Sequence, residues 1–181
     1  MPFLAFALLV AGSVVAVPAK PLRGGFENPM PGGRLAGYSG DTGLDVGGSP
    51  RPIFAIAAGT LDYSEPGHTV WTGPRDTANS VRFTLDQPIV YKGRRITHVY
   101  YTHLSKLRYV QSEAAGVADP TLGRHIAAGE ELGVSGTANG SPHLHIGLLL
   151  DGHVLQDSWA YILTESQIRE VLGGYKSGEL L

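Results

Sequence analysis

The eight residues His143 to Leu150, HLHIGLLL, constrain this chain more than any other stretch. Pro142 precedes them and Asp151-Gly152 follows. Imidazole alternates with apolar side chains at the start of the run, and period two is the pattern of a strand. Asp-Gly directly after it is a strong hairpin turn, which sends the chain into His153-Val154-Leu155. In a strand, His143 and His145 project from one face and can converge on one ion, while Leu144 and Ile146 point into an apolar layer. The same pair can equally be two partly buried histidines with hydrogen-bonded rings.

The rest of the chain carries similar signals. RPIFAIAAGTLDYSE contains a short apolar run, Ile53 to Ala58, closed by Gly59, which suits a strand followed by a turn. SVRFTLDQPIVYKGRRITHVYYTHLSKL reads as two strands joined at Lys92-Gly93. On the second strand, alternation places Thr97, Val99, Tyr101 and His103 on one face and His98, Tyr100 and Thr102 on the other. Only the end looks helical: Thr164 and Gln167 form a capping-box pattern before Ile168, Val171 and Leu172, and Gly173-Gly174 stops the helix. Twenty-five glycines, 12 prolines and 17% charged residues in 181 positions agree with short strands and many turns. The expected class is mainly antiparallel β with one short C-terminal helix.

The chain has no cysteine, which excludes disulfides, thiolate metal sites and a cysteine nucleophile. Its net charge of −2 gives no nucleic-acid footprint. The first 19 residues are apolar and uncharged, with Val17 and Ala19 suited to the −3 and −1 sites of a signal-peptidase cut. The reading is a signal peptide or N-terminal anchor over 1–19, an extended lead-in over 20–37, one domain over 38–157, and a helix and tail over 158–181. The protein is expected to be exported, with no stable membrane span after processing. The residues carry no signal for oligomeric state.

A second focus is GDTGLDV, which sets Asp41 and Asp45 four residues apart among glycines. Asp beside Gly usually makes a turn. An even spacing in an extended segment, however, puts both carboxylates on one side.

Taken together, DTGLD (Asp41 to Asp45), YTHLS (Tyr101 to Ser105) and SPHLHIG (Ser141 to Gly147) resemble the lysostaphin-like (LytM-like) zinc peptidases. That family's pattern is H-x-G-[hydrophobic]-D, then Y-x-H-L-[ST], then G-P-H-L-H. The strand IFAIAAGTL and the loop HIAAGEELGVSGTANGS also resemble family segments in the same order, whereas Pro66 to Arg95 is longer than the family usually carries. The resemblance implies a β core of the duplicated-hybrid-motif type and a peptidase acting on peptide bonds of peptidoglycan. It implies Asp45 and His145 as ligands of one Zn²⁺, with His103 and His143 flanking the reacting groups as general base and transition-state stabiliser. Asn139, Ser141 and Tyr101 are candidate substrate contacts; Tyr100, Tyr101 and Trp71 read as packing or groove-lining aromatics. His68, His98, His125 and His153 read as turn or surface residues.

The chain departs from the family at Asp41, where the pattern has its first His ligand. Asp41 can coordinate through oxygen, giving an Asp41–Asp45–His145 site that also suits a harder ion such as Mn²⁺. Alternatively, Asp41 is only a turn residue and the fold serves as a module that binds cell wall or a partner hydrolase. A peptidase acting on Gly-rich proteins is a third expectation.

Overall fold

The computed structural model describes residues 20–37, 40–69, 73–111, 121–156 and 158–181. The N-terminal segment 1–19 and Trp71 lie outside the described residues, and so do the expectations placed on them.

Nine strands and one α-helix are present among the described residues: β1 Arg34–Ala36, β2 Leu44–Gly47, β3 Pro52–Phe54, β4 Gly59–Pro66, β5 Asn79–Tyr91, β6 Arg94–Leu107, β7 His125–Ile126, β8 Glu131–Ala138, β9 Ser141–Leu150 and α1 Glu165–Val171. All pair antiparallel in one sheet of order β1-β2-β9-β8-β6-β5-β4-β7, with β3 on β8 and β9 also pairing β6. The architecture is the expected one, mainly antiparallel β with a short C-terminal helix. No described helix is long and apolar enough to cross a membrane.

The alternation read from the sequence organises the core. Leu144, Ile146 and Leu148 of β9 are fully buried beside Leu44 and Val46 of β2 and Val99 and Tyr101 of β6. Lys92 and Gly93 take φ of +49° and +79° between β5 and β6, the left-handed pair that a two-residue hairpin needs. The capping box at Thr164 forms as expected, with Thr164 N–H donating to Gln167 Oε1 at 2.9 Å.

Three local expectations fail. The run Ile53–Ala58 is not one strand: β3 ends at Phe54, and Ala55 instead exchanges backbone hydrogen bonds with Glu130 and Gly129. The Asp151-Gly152 turn forms, but residues 153–155 do not continue as a strand. The third failure concerns His103. Strict alternation puts it on the core face with Val99 and Tyr101, yet its φ of +64° reverses the strand locally and turns the imidazole to the opposite side. It therefore joins His143 and His145 there, and His98 is not on the face opposite it.

Candidate active site

The outer face of the sheet brings the sequence motifs together by register. Asp45 on β2 lies opposite His145 on β9, Gly47 opposite His143, and Thr102 on β6 opposite His145. Asp45 and His145, 100 positions apart, therefore become neighbours through the β2–β9 pairing, and β6 brings Thr102 to the other side of His145. His145 Nδ1 lies 2.8 Å from Asp45 Oδ1, and His143 Nε2 lies 3.7 Å from the same oxygen. The second ring's tautomer follows from its partner: His143 Nδ1 is 2.9 Å from the Ser141 carbonyl, which can only accept. Nδ1 therefore carries a proton, and Nε2 faces Asp45.

Gly43 fixes the other ring. Its φ is +90°, and a Cβ there would lie 2.3 Å from His145 Nε2. The His145 ring packs that edge against bare backbone, which leaves Nδ1 to face the site.

His103 completes the cluster. Its ring centroid is 5.2 Å from that of His143 and 6.0 Å from that of His145. Burial, and then the neighbouring His145 and His143, push it down to about 4, against the opposing pull of Asp45 and Asp76. It is therefore neutral near pH 7. The backbone behind it is braced by Thr77, whose hydroxyl donates to the His103 carbonyl at 2.7 Å and accepts from Thr137 N–H at 3.0 Å. Asp76, beside it, accepts from Gly73 N–H and Asn139 N–H. The brace fits because residue 136 is glycine: a Cβ would stand 2.1 Å from Thr77 Oγ1.

Burial by itself would raise the Asp45 carboxyl, but the His145 hydrogen bond and the fields of His145, His143 and His103 outweigh it, and the carboxyl is lowered. Tyr100 lies flat across β9 over Gly147, where a Cβ would be 1.9 Å from its ring, and stacks on His145 at 5.9 Å. Burial, then the charges of Tyr63, Asp41 and Asp45, raise its phenol. Asp41 thus lies within electrostatic reach of the cluster, on an exposed loop pinned by Glu165 N–H donating to its carbonyl.

The donors fit a divalent ion in chemistry, since carboxylate oxygen and imidazole nitrogen are zinc ligands. Two buried polar atoms here, Thr102 Oγ1 and His103 Nδ1, lack a hydrogen-bond partner, a pattern that marks functional or unfilled sites. Asp45 and His145 are aligned. Among the described residues, however, no group of three or more His, Asp or Glu side chains is assembled to hold a metal.

Asn139, at φ +51° in the β8–β9 turn, and Ser141 are exposed at the rim. Tyr101 is not a substrate contact: it is fully buried on the core face, donating to the Phe54 carbonyl and accepting from Ile56 N–H. The sequence suggested only a packing or groove-lining role for Tyr100 and none for Asp76 or Thr77. The glycines at 147 and 136 that accommodate Tyr100 and Thr77 were visible, but their partners lie across strand pairings. His98 is buried rather than on the surface.

No known family model matches the chain, and neither does any curated protein. Solved structures do. A protein from Pseudomonas aeruginosa assigned to peptidase M23 aligns over 89% of this chain with a TM-score of 0.52 and 20% identity. The chain has the M23, lysostaphin-like peptidase fold. It spans 54% of the length of that Pseudomonas protein. Lysostaphin from Staphylococcus simulans also aligns, at 18% identity over 83% of this chain and 56% of its own (TM-score 0.49). Its catalytic domain aligns at 21% identity over 79% of this chain and 90% of its own (TM-score 0.45). In this fold the Asp45–His145 pair, His143 and His103 meet on one face of the sheet.

Proposed function

We propose that this chain is an exported zinc metalloendopeptidase that cleaves peptide bonds in peptidoglycan. The observation that carries the reading is the meeting of Asp45, His145, His143 and His103 on one sheet face of an M23 fold. Asp45 Oδ1 and His145 Nδ1 would hold the ion, with Asp41 as third ligand. When bound, zinc supplies the Lewis acidity that polarises a peptide carbonyl and acidifies a water. His143, with Nδ1–H tied to Ser141, presents Nε2 to accept the water's proton. His103, kept neutral by burial, offers an N–H to the developing oxyanion. Asn139 and Ser141 are placed to contact the substrate at the rim. Export rests on the apolar, uncharged first 19 residues.

A second reading, a module that binds cell wall without cutting it, draws on the absence of an assembled three-donor group among the described residues. Zinc content and digestion of purified sacculi separate the two. The enzyme reading expects stoichiometric zinc in the wild type, its loss in Asp41→Ala, tighter zinc in Asp41→His, and sacculus cleavage that a chelator stops. A wild-type protein that neither retains zinc nor releases sacculus fragments leaves the binding module.

A further inference from the structure

The outer face of the sheet continues well beyond the histidine cluster. One rung runs Tyr63–Arg82–Tyr100–Gly147 across β4, β5, β6 and β9, next to the rung of Thr102, His145 and Asp45. Tyr100 links the two, stacking on His145 while lying within electrostatic reach of Tyr63. At the far end is a cleft of about 270 Å³ lined by Tyr63, His68, Arg82, Val154, Leu155 and Gln156.

Arg82 is held from three sides. Its Nε donates to Asp62 Oδ2 at 2.9 Å, its Nη1 donates to the Val154 carbonyl, and its guanidinium lies 4.8 Å over the Tyr63 ring. The local carboxylates are already engaged: Asp62 Oδ1 accepts from Thr84 at 2.9 Å, and Glu65 pairs with His68 at 2.6 Å. Tyr63 accepts from Gln156 Nε2 at 3.2 Å. Among the described residues, Arg82 Nη2 and the Tyr63 O–H have no protein acceptor. The remaining Nη2 donor of Arg82 and the Tyr63 hydroxyl, on residues that line one cleft, can each give one hydrogen bond to an oxygen of a carboxylate.

We propose that this cleft is a subsite for a carboxylate on a peptide ligand, bound by Arg82 Nη2 and the Tyr63 hydroxyl. Only its position relative to the cleaved bond rests on the peptidase reading. Arg82 stands two strand spacings from β9, about 10 Å, or about three residues of extended peptide. The carboxylate can be a chain terminus or an acidic side chain.

The test is a calorimetric titration of the full chain with three probes: N-acetyl-tetraalanine with a free carboxylate, its C-terminal amide, and an amide-capped peptide with one glutamate. The free carboxylate or the glutamate peptide should bind at least about tenfold tighter than the plain amide, within the range of charge-assisted pairs. Which of the two does so identifies the source. Arg82→Gln should abolish the preference and Arg82→Lys restore only part of it. Should Arg82→Gln fail to fold, Tyr63→Phe, which removes only the hydroxyl, should weaken the preference several-fold. Equal binding of all three probes by the wild type overturns the subsite, as does an unchanged preference in Tyr63→Phe. A protein that shows the preference but digests no sacculi loses the peptidase reading and keeps this site. One that digests sacculi without the preference does the reverse.

Discussion

His103 stands in a backbone conformation, φ +64°, that costs a non-glycine residue about 1–3 kcal/mol. The same twist moves its imidazole from the core face to the histidine cluster. Period-two counting cannot see it, because the motif YTHLS contains nothing that marks a reversal. The His143–His145 pair was legible because it lies on one regular strand, whereas Asp45 and His145, on different strands, were brought together only by the family resemblance. Neutral His103 has a consequence for pH dependence. Its folded value, about 4, lies below its ordinary 6.5, so the unfolded chain takes up the proton first as pH falls. Its contribution to stability is full above 6.5 and is lost as pH drops towards 4. Asp45 is also lowered, so its contribution is full above the ordinary carboxylate value and lost only in stronger acid. Urea unfolding of metal-free protein should therefore show stability falling between pH 6.5 and 4, and His103→Asn should reduce that slope without abolishing it, because burial lowers His98 as well. A flat wild-type profile contradicts this account. Gly43→Ala is a sharper probe of the second ring. At φ +90°, with His145 Nε2 at 2.3 Å from the new Cβ, it should cost about 1–3 kcal/mol and lower zinc retention together. Denaturation and metal analysis of the same preparation check both.

Among the elements, the β5–β6 hairpin shows most clearly where sequence reading stops. Its turn and strand lengths were readable, whereas its register shifts, between Asn79 and Val81 and between Thr84 and Ile89, have no mark in the residue pattern. The segment 73–78 leading into β5 lies in the stretch noted as long for the family. There Thr77 bonds the carbonyl of the strained His103 and the amide of Thr137 on β8, tying three elements together at the site. Thr77→Val keeps the shape and leaves two backbone groups without partners, which should cost about 1–3 kcal/mol. If the brace positions His103 for catalysis, sacculus digestion should lose turnover about tenfold or more with KM little changed. Thr77→Ser should recover most of it. A loss in the serine variant with little loss in the valine variant would assign the effect to packing of the methyl group instead.

At the scale of the whole molecule, the segments flanking the central sheet pair with each other. Gly24 N–H donates to Leu172 O, Leu35 N–H to Glu179 O, Gly178 N–H to Leu35 O and Leu181 N–H to Gly33 O. Leu22, Met30 and Leu35 are buried, in one core cluster with Leu172 and Tyr175. A Pro- and Gly-rich lead-in reads as an appendage because its partners come from the other end of the chain, beyond the reach of any local pattern. The same C-terminal segment reaches the site: Gly43 N–H donates to Leu163 O, and Glu165 N–H to Asp41 O. The loop carrying Asp41 is thus held by the approach to α1, not by the sheet beneath it. Deleting residues 173–181 should therefore separate two effects. It removes the Tyr175 packing and the pairing along β1, for a loss of about 2–3 kcal/mol or more, taking burial of one large side chain as the floor. It leaves Leu163 and Glu165 in place, so zinc retention in the folded fraction should persist. Stopping the chain at residue 157 instead removes the support of Asp41, and zinc should be lost even under conditions where the sheet stays folded. Equilibrium unfolding with metal analysis of the two truncations measures this, and equal zinc retention in both would show that the loop does not depend on the C-terminal segment.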